Sequence, residues 1–376
     1  MNFLSAVGTH SYLNHPKVLS LIHKHNYTRR DIQNSLIDST KKGLFLRKSF
    51  HQQLVEIAIL DQREWKLDLL TPGNPTKFAF GMIDPFLQAF NGLKKRETHI
   101  YEAKKTFCIK PKEELKKLPV VNEVRWTSNY LRNLRQIKRG PHYYFKANIT
   151  GIYTLSRAIP FYSEFGSLSA LYDELAIGLI QIVQCMKEIA PTNMSHIQID
   201  EPALGRLPFY DMTKNIVYKD LIPNILPALR EFLRAMEEPM TKKGEGLATC
   251  IHCDGLLDVE IANLLLEAAP YQIGVNCVDS QGKPMNTDIL SYMHKKGHQS
   301  SIGVGMFPTI VSEKTFWNIS AMKALFKTIT QIYPVFVYIQ SNSALYNLPY
   351  PKTKSRYEAL RQLFPEKSKK RNRSRN

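Results

Sequence analysis

Apolar and polar positions along the chain fall into two alternating periods. Short runs rich in β-branched residues are separated by longer stretches with helical spacing. Eight of the runs read as strands: Phe3–Gly8, Leu67–Thr71, Phe145–Thr150, His196–Asp200, Leu247–Cys253, Gln272–Cys277, Ser301–Gly305 and Val335–Gln340. Helical spacing is clearest over Leu171–Glu188, Leu221–Glu237, Leu256–Ala268 and Phe316–Ile332. Strand–helix alternation of this kind builds a parallel sheet. Eight units favour an α/β fold of the closed (β/α)8 TIM-barrel type over an open doubly wound sheet, and no Gly-x-Gly-x-x-Gly turn follows an early strand. The expectation is one barrel over residues 1–366. An insertion after the second strand, at about 91–125, is charged and poorly periodic. It reads as a solvated excursion, or as a lid or a contact for an anionic partner.

Charge adds a second layer. Lysine and arginine number 51 against 33 acidic residues, a formal charge of +18. The segment 367–376 holds Lys367, Lys369, Lys370, Arg371, Arg373 and Arg375 and no acid, which predicts a solvated, disordered tail. The remaining excess would suit a polyanionic small molecule. Trp65, Trp126 and Trp317 are not interleaved with basic residues, so a nucleic-acid stacking surface is not expected. His294 and His298, on either side of a basic turn, read as surface residues. No apolar run approaches the roughly 20 residues that cross a bilayer, and no membrane association is expected. Met1 to Ser11 does not resemble a cleaved signal peptide. The cysteines are five, an odd number without disulfide spacing, and Cys250, Cys253 and Cys277 lie close together. That favours thiol or metal chemistry in a reducing compartment, with the cytoplasm as default.

In a barrel, chemistry gathers at the carboxyl ends of the strands. Polar residues do collect there: Thr9 and His10, Asn74, Asn148 and Thr150, Asp200 and Glu201, then Cys250, His252 and Cys253, then Asn276 and Cys277, then Gln340 to Ser343. Asp200 and Glu201 end an apolar run before Pro202. Side chains alternate along a strand, so one acid is expected to face the pocket while the other braces a neighbour. Cys250 and His252, two apart, fall on one face.

The segment Ile197-Gln198-Ile199-Asp200-Glu201-Pro202-Ala203-Leu204 resembles the barrel motif of the cobalamin-independent methionine synthases. Val7-Gly8-Thr9, Lys146 to Gly151 and Ser341 to Leu345 resemble that family's first-strand, third-strand and final-loop motifs in order and spacing. The likeness covers the catalytic half of the longer, two-barrel enzymes. It implies a methyltransferase of the homocysteine S-methyltransferase type, active in methionine biosynthesis. Asp200 and Glu201 would bind the amino-acid substrate, assisted by Thr9, Asn74 and Ser343. The resemblance further implies Zn2+ that turns the substrate thiol into a thiolate, with His252 in the catalytic role.

Here the ligand set reads as Cys250, His252, Cys253 and Cys277. One alignment pairs Cys250 and His252 with the family's two strand-five ligands in reversed order; another pairs Cys253 with the family cysteine and leaves Ile251 in the place of histidine. Asn74 stands where the family has a glutamate, and Ser343 where it has the last zinc cysteine. The methyl donor would be a folate, such as its polyglutamylated form, or a corrinoid on a methyl-carrier protein. Two other readings stay open: a metal-free decarboxylase of the uroporphyrinogen type, and a non-enzymatic binding or regulatory barrel.

Overall fold

The computed structural model describes residues 3–4, 10, 12, 15–25, 50–97, 100–138, 143–159, 167–205, 214–238, 246–297, 301–309, 318–333, 337–341 and 348–362. Seven strands form one parallel sheet: β1 (Phe3–Leu4), β4 (Phe145–Thr150), β5 (Met194–Asp200), β6 (Ala248–Cys253), β7 (Gln272–Asn276), β8 (Ser301–Gly305) and β9 (Val337–Gln340). Their order is β1-β9-β8-β7-β6-β5-β4, so from β4 to β9 each strand pairs with its neighbour in sequence. The crossovers carry long helices: α8 (Leu168–Ile189) between β4 and β5, α9 (Lys214–Glu237) between β5 and β6, α10 (Val259–Ala268), α11 (Thr287–Lys295) and α12 (Ile319–Ile332). The fold is mixed α/β with a parallel sheet, as the strand–helix rhythm predicts.

Alternation along the strands gives the sheet two unlike faces. Ala147, Ile149, Ile197, Ile199, Ile251, Ile273, Val275, Ile302, Val304, Val337 and Ile339 lie in the main hydrophobic core. The intervening positions are Lys146, Asn148, Thr150, Gln198, Asp200, Cys250, His252, Gln272, Gly274, Asn276, Gly303, Gly305 and Gln340. This second face is polar, and it is buried as well.

In the expected second strand, Leu67–Thr71, Leu70 makes a parallel bridge to Phe145 on β4 and Leu69 is also a bridge residue. No ladder among the described residues joins it to β1. Among the described residues the two margins of the sheet meet at the backbone hydrogen bond from His10 N–H to the Gly73 carbonyl, at 2.8 Å. The parts of the first and last expected strands at 5–8 and 335–336 lie outside the described residues.

Two expectations need correction. The stretch 91–125, expected as a solvated excursion, carries regular structure. After the one-turn α4 (Asp84–Leu87) it forms an antiparallel hairpin, β2 (Phe90–Glu97) with β3 (Ile100–Ile109), then the short α5 (Lys112–Leu115) and the start of α6 (Pro119–Lys138). Tyr101, Ala103 and Phe107 bury one side of the hairpin while Lys95 and Arg96 stay outside. Second, α8 is long and apolar enough to cross a membrane by length and composition. Half of its apolar window is buried, Leu171, Leu175, Leu179 and Ile182 sit in the main core, and Ser167 caps its start by accepting from the Ala170 N–H. Those contacts are those of a core helix.

Candidate functional site

The polar face converges on Asp200 at the end of β5. Lys77 comes from α3 (Pro75–Phe80) and places its Nζ 2.9 Å from Asp200 Oδ2, with both side chains nearly out of contact with solvent. Gln198 Nε2 donates to Asp200 Oδ1 at 2.5 Å, and Lys146 Nζ donates to the Gln198 side-chain oxygen Oε1. In the ladder Asp200 stands opposite His252 on β6. Burial pushes the Asp200 carboxyl up, but Lys77, His252 and Gln198 together outweigh it and hold the carboxyl below its ordinary range. Burial likewise pulls the Lys146 ammonium down, against the nearby Cys250 and Asp200. The result is an ionised carboxylate in a dry, hydrogen-bonded chain, a geometry suited to gripping a charged ligand group.

Lys77 is held in place from behind. The turn before it runs through Gly73 (φ 77°) and Asn74 (φ 43°), both left-handed, and Pro75 then starts α3. A Cβ on Gly73 would collide with Ala58 and with the Tyr12 hydroxyl, so only glycine fits. Glu123 on α6 accepts from the Thr76 N–H at 2.6 Å and from His51 Nε2 at 2.8 Å. Asn74 is buried, and its Nδ2 has no partner among the described residues.

Glu201 takes the bracing role. Its carboxylate accepts from the Tyr153 and Thr154 N–H groups, each at 2.9 Å, and from the Thr154 hydroxyl at 2.7 Å. These donors open α7 (Ile152–Ser156), where a carboxylate is favoured. Gly151 must be small here, because a Cβ would overlap the Glu201 carboxyl. Burial still dominates, and the Glu201 carboxyl is pushed up to about 7. Glu201 therefore has the arrangement of a structural brace, its carboxylate oxygens taken up by donors of α7.

The expected four-ligand zinc set does not converge. Cys250 and His252 lie on the polar face, but Cys253 lies one residue out of phase and joins the hydrophobic core with Ile251. Cys277 is also in that core, where its thiol donates to the Val275 carbonyl at 3.7 Å. Burial pushes the Cys250 and Cys277 thiols up to about 12 and raises that of Cys253 well above its ordinary value. Two donors on one face do not make a tetrahedral site, so these residues do not fit zinc. All five cysteines are free thiols. Thr9 and Ser343 lie outside the described residues.

No protein-family model matches the sequence, and no curated protein matches it. Among solved structures the chain is similar to the apo structure of a beta-glucosidase 1317 at 9% identity and a TM-score of 0.40, over 82% of this chain and 83% of that one.

Lys77 and Gln272 escape a reading of the sequence alone, and Gln198 and Gln340 appear in it only within a motif and a strand-end series, with no role. Lys77 sits on a helix too short to show a period, and the glutamines fall at strand positions where an apolar residue is the ordinary occupant. Both amide atoms of Gln272 and of Gln340, and both of Asn148, are buried with no partner among the described residues. The glycines around them are obligatory: a Cβ on Gly274 would lie 2.8 Å from the His252 ring and 3.2 Å from the Gln340 amide. The signal that was available is the strict alternation itself, with Gln198 two residues before Asp200 and Gln272 two before Gly274.

Proposed function

We propose that the sheet closes into a (β/α)8 barrel whose polar inner face binds a small zwitterionic amino acid carrying a thiol, and that the protein methylates that thiol. What carries the reading is the buried, ionised Asp200, paired with Lys77 and facing His252. A substrate ammonium would take the Asp200 carboxylate, displacing Lys77 toward the substrate carboxylate, and the Asn74 amide would donate to the same end. Closure of the barrel is supported by burial of both faces of the sheet and by the His10–Gly73 hydrogen bond between its margins.

The reaction is of the homocysteine S-methyltransferase type. In the proposed step His252 takes the thiol proton. The sulfur pair then forms the new S–C bond as the methyl leaves its carrier nitrogen on a folate, and that nitrogen keeps the bonding pair and gains the proton. A corrinoid carrier is the other donor compatible with the resemblance. No step passes through zinc, because its nominated ligands are divided between the two faces. A reducing, cytoplasmic setting fits the five free thiols.

Calorimetric titration with L-homocysteine tests the reading. Binding is expected in the native chain and weakened about 100-fold or more in Asp200→Asn, the scale of losing a buried charged hydrogen bond. Mass-spectrometric detection of methionine with a methyl-folate donor tests the chemistry. Equal affinity in Asp200→Asn, with the fold intact by circular dichroism, would overturn the assignment. One observation favours a second reading: Lys77 and Lys146 place two amines on the face that holds Asp200. A metal-free, polycarboxylate-binding barrel of the decarboxylase type would bind tri- or tetracarboxylates instead, and lose them in Lys77→Met.

A further inference from the structure

A second cluster shares no residue with the Asp200 chain. His10 follows the first strand, His15 precedes α1 (Pro16–His25), and Asp61 sits near the end of α2 (Phe50–Glu64). Asp61 Oδ2 lies 3.0 Å from His10 Nε2 and 2.7 Å from His15 Nε2. The two imidazole rings are tilted at 53° with centroids 6.2 Å apart, so they meet at the carboxylate from different directions. All three side chains are buried. Among the described residues this is the one set of three such groups whose ligating atoms lie within 4.8 Å of one another.

We propose that His10, His15 and Asp61 bind a divalent transition-metal ion of the Zn2+ or Fe2+ class. Two imidazoles and a carboxylate are the donors such ions take, whereas Mg2+ and Ca2+ prefer oxygen alone. Three protein ligands leave a further position for water or a small ligand. The outer shell is also of the kind that orients metal ligands. The free oxygen of Asp61 is approached by the Tyr350 hydroxyl at 3.4 Å and by Lys17 Nζ at 3.9 Å. Trp65 stacks on His10 with centroids 5.3 Å apart, and Tyr350 covers His15 at 4.1 Å. These contacts fix both rings and leave them little freedom to lose on binding an ion.

The same atoms make a hydrogen-bonded cluster when no ion is bound. The Lys17 N–H points at His15 Nδ1 at 3.1 Å, so the neutral ring carries its proton on Nε2 and donates it to Asp61. A metal on Nε2 requires the proton to move to Nδ1, and the Lys17 N–H must then turn to another acceptor. One backbone hydrogen bond is a small loss beside the affinity of a three-ligand site. That tautomer change is itself an observable. The site shares no ligand with the proposed methyl transfer, so either can fail without the other.

The full chain, stripped with a chelator and dialysed, is titrated with Co2+ and separately with Zn2+. One equivalent per chain is expected, with visible d–d bands and no thiolate charge-transfer band. It should persist in Cys250→Ser and vanish in His15→Ala and in Asp61→Asn. In selectively labelled native protein, Zn2+ should shift the His15 ring nitrogens to the Nδ1–H pattern and move the Lys17 amide resonance. The nitrogen shifts decide the matter even where the buried variants fail to fold. No uptake at micromolar free metal, unchanged His15 shifts, or metal that is lost with Cys250→Ser and kept in Asp61→Asn would overturn the proposal.

Discussion

Asp200 and Glu201 are adjacent residues of the same charge type, yet their surroundings divide them. Lys77, His252 and Gln198 keep Asp200 ionised, while burial at Glu201 outweighs the donors from Tyr153 and Thr154. At Glu201 this bears on stability. The residue holds its proton to about 7 in the folded chain, against 4.5 for an unperturbed glutamate. Between those values the folded state binds more protons than the unfolded one, so stability falls as pH rises through that window. The effect is on the order of 3 kcal/mol at full expression, since each tenfold change in proton affinity amounts to about 1.4 kcal/mol. Urea denaturation from pH 4.5 to 7.5 should show this decline in the native chain and a flatter profile in Glu201→Gln, whose amide still accepts from α7 without titrating. A parallel slope in both proteins would place the titration elsewhere.

At the scale of elements, strands with a strict period were legible. Phe145–Thr150 and Ser301–Gly305 stand in the structure with the bounds expected, β5 to β7 differ only at their ends, and β9 agrees over its described residues. The hairpin was not, although Tyr101, Ala103 and Phe107 carry the period of two: its lysines masked a half-buried strand as a charged loop. The same period also decides the zinc question, since Cys250 and Cys253 are three apart and a strand sends them to opposite faces. No local pattern announces Lys77 or Asp61, whose partners lie 123 and 46 or more residues away. Docking of the hairpin is visible at Gly178 on α8, where a Cβ would enter the ring of Phe90. Phe90 is itself stacked on Phe107 at 4.9 Å and cannot easily retreat. An exposed helical Gly→Ala change gains about 1 kcal/mol from propensity. At Gly178 the overpacking cost of about 1–3 kcal/mol should exceed it. Gly178→Ala is therefore expected to lower the urea midpoint, and a rise would mean that the hairpin yields without cost.

For the whole molecule, the sheet sets an apolar face against a polar one and buries both, and the polar face is the costly half. Gln272 and Gln340 hold amide groups out of water with no partner among the described residues. Such burial costs about 1–3 kcal/mol per group left unsatisfied. A chain selected for stability alone would place methionine or leucine there, as it places isoleucine and valine on the other face. The expectation is that Gln340→Met, similar in volume and unbranched, raises stability by about 1–2 kcal/mol, because the desolvation cost disappears while the packing is kept. If the inner face is a ligand site, the same change should weaken binding of the amino-acid ligand, so that stability and affinity move in opposite directions. Thermal denaturation and the calorimetric titration on the one variant decide this. A variant both less stable and unchanged in binding would mean that ordered water, rather than a ligand, completes the hydrogen bonds of that layer.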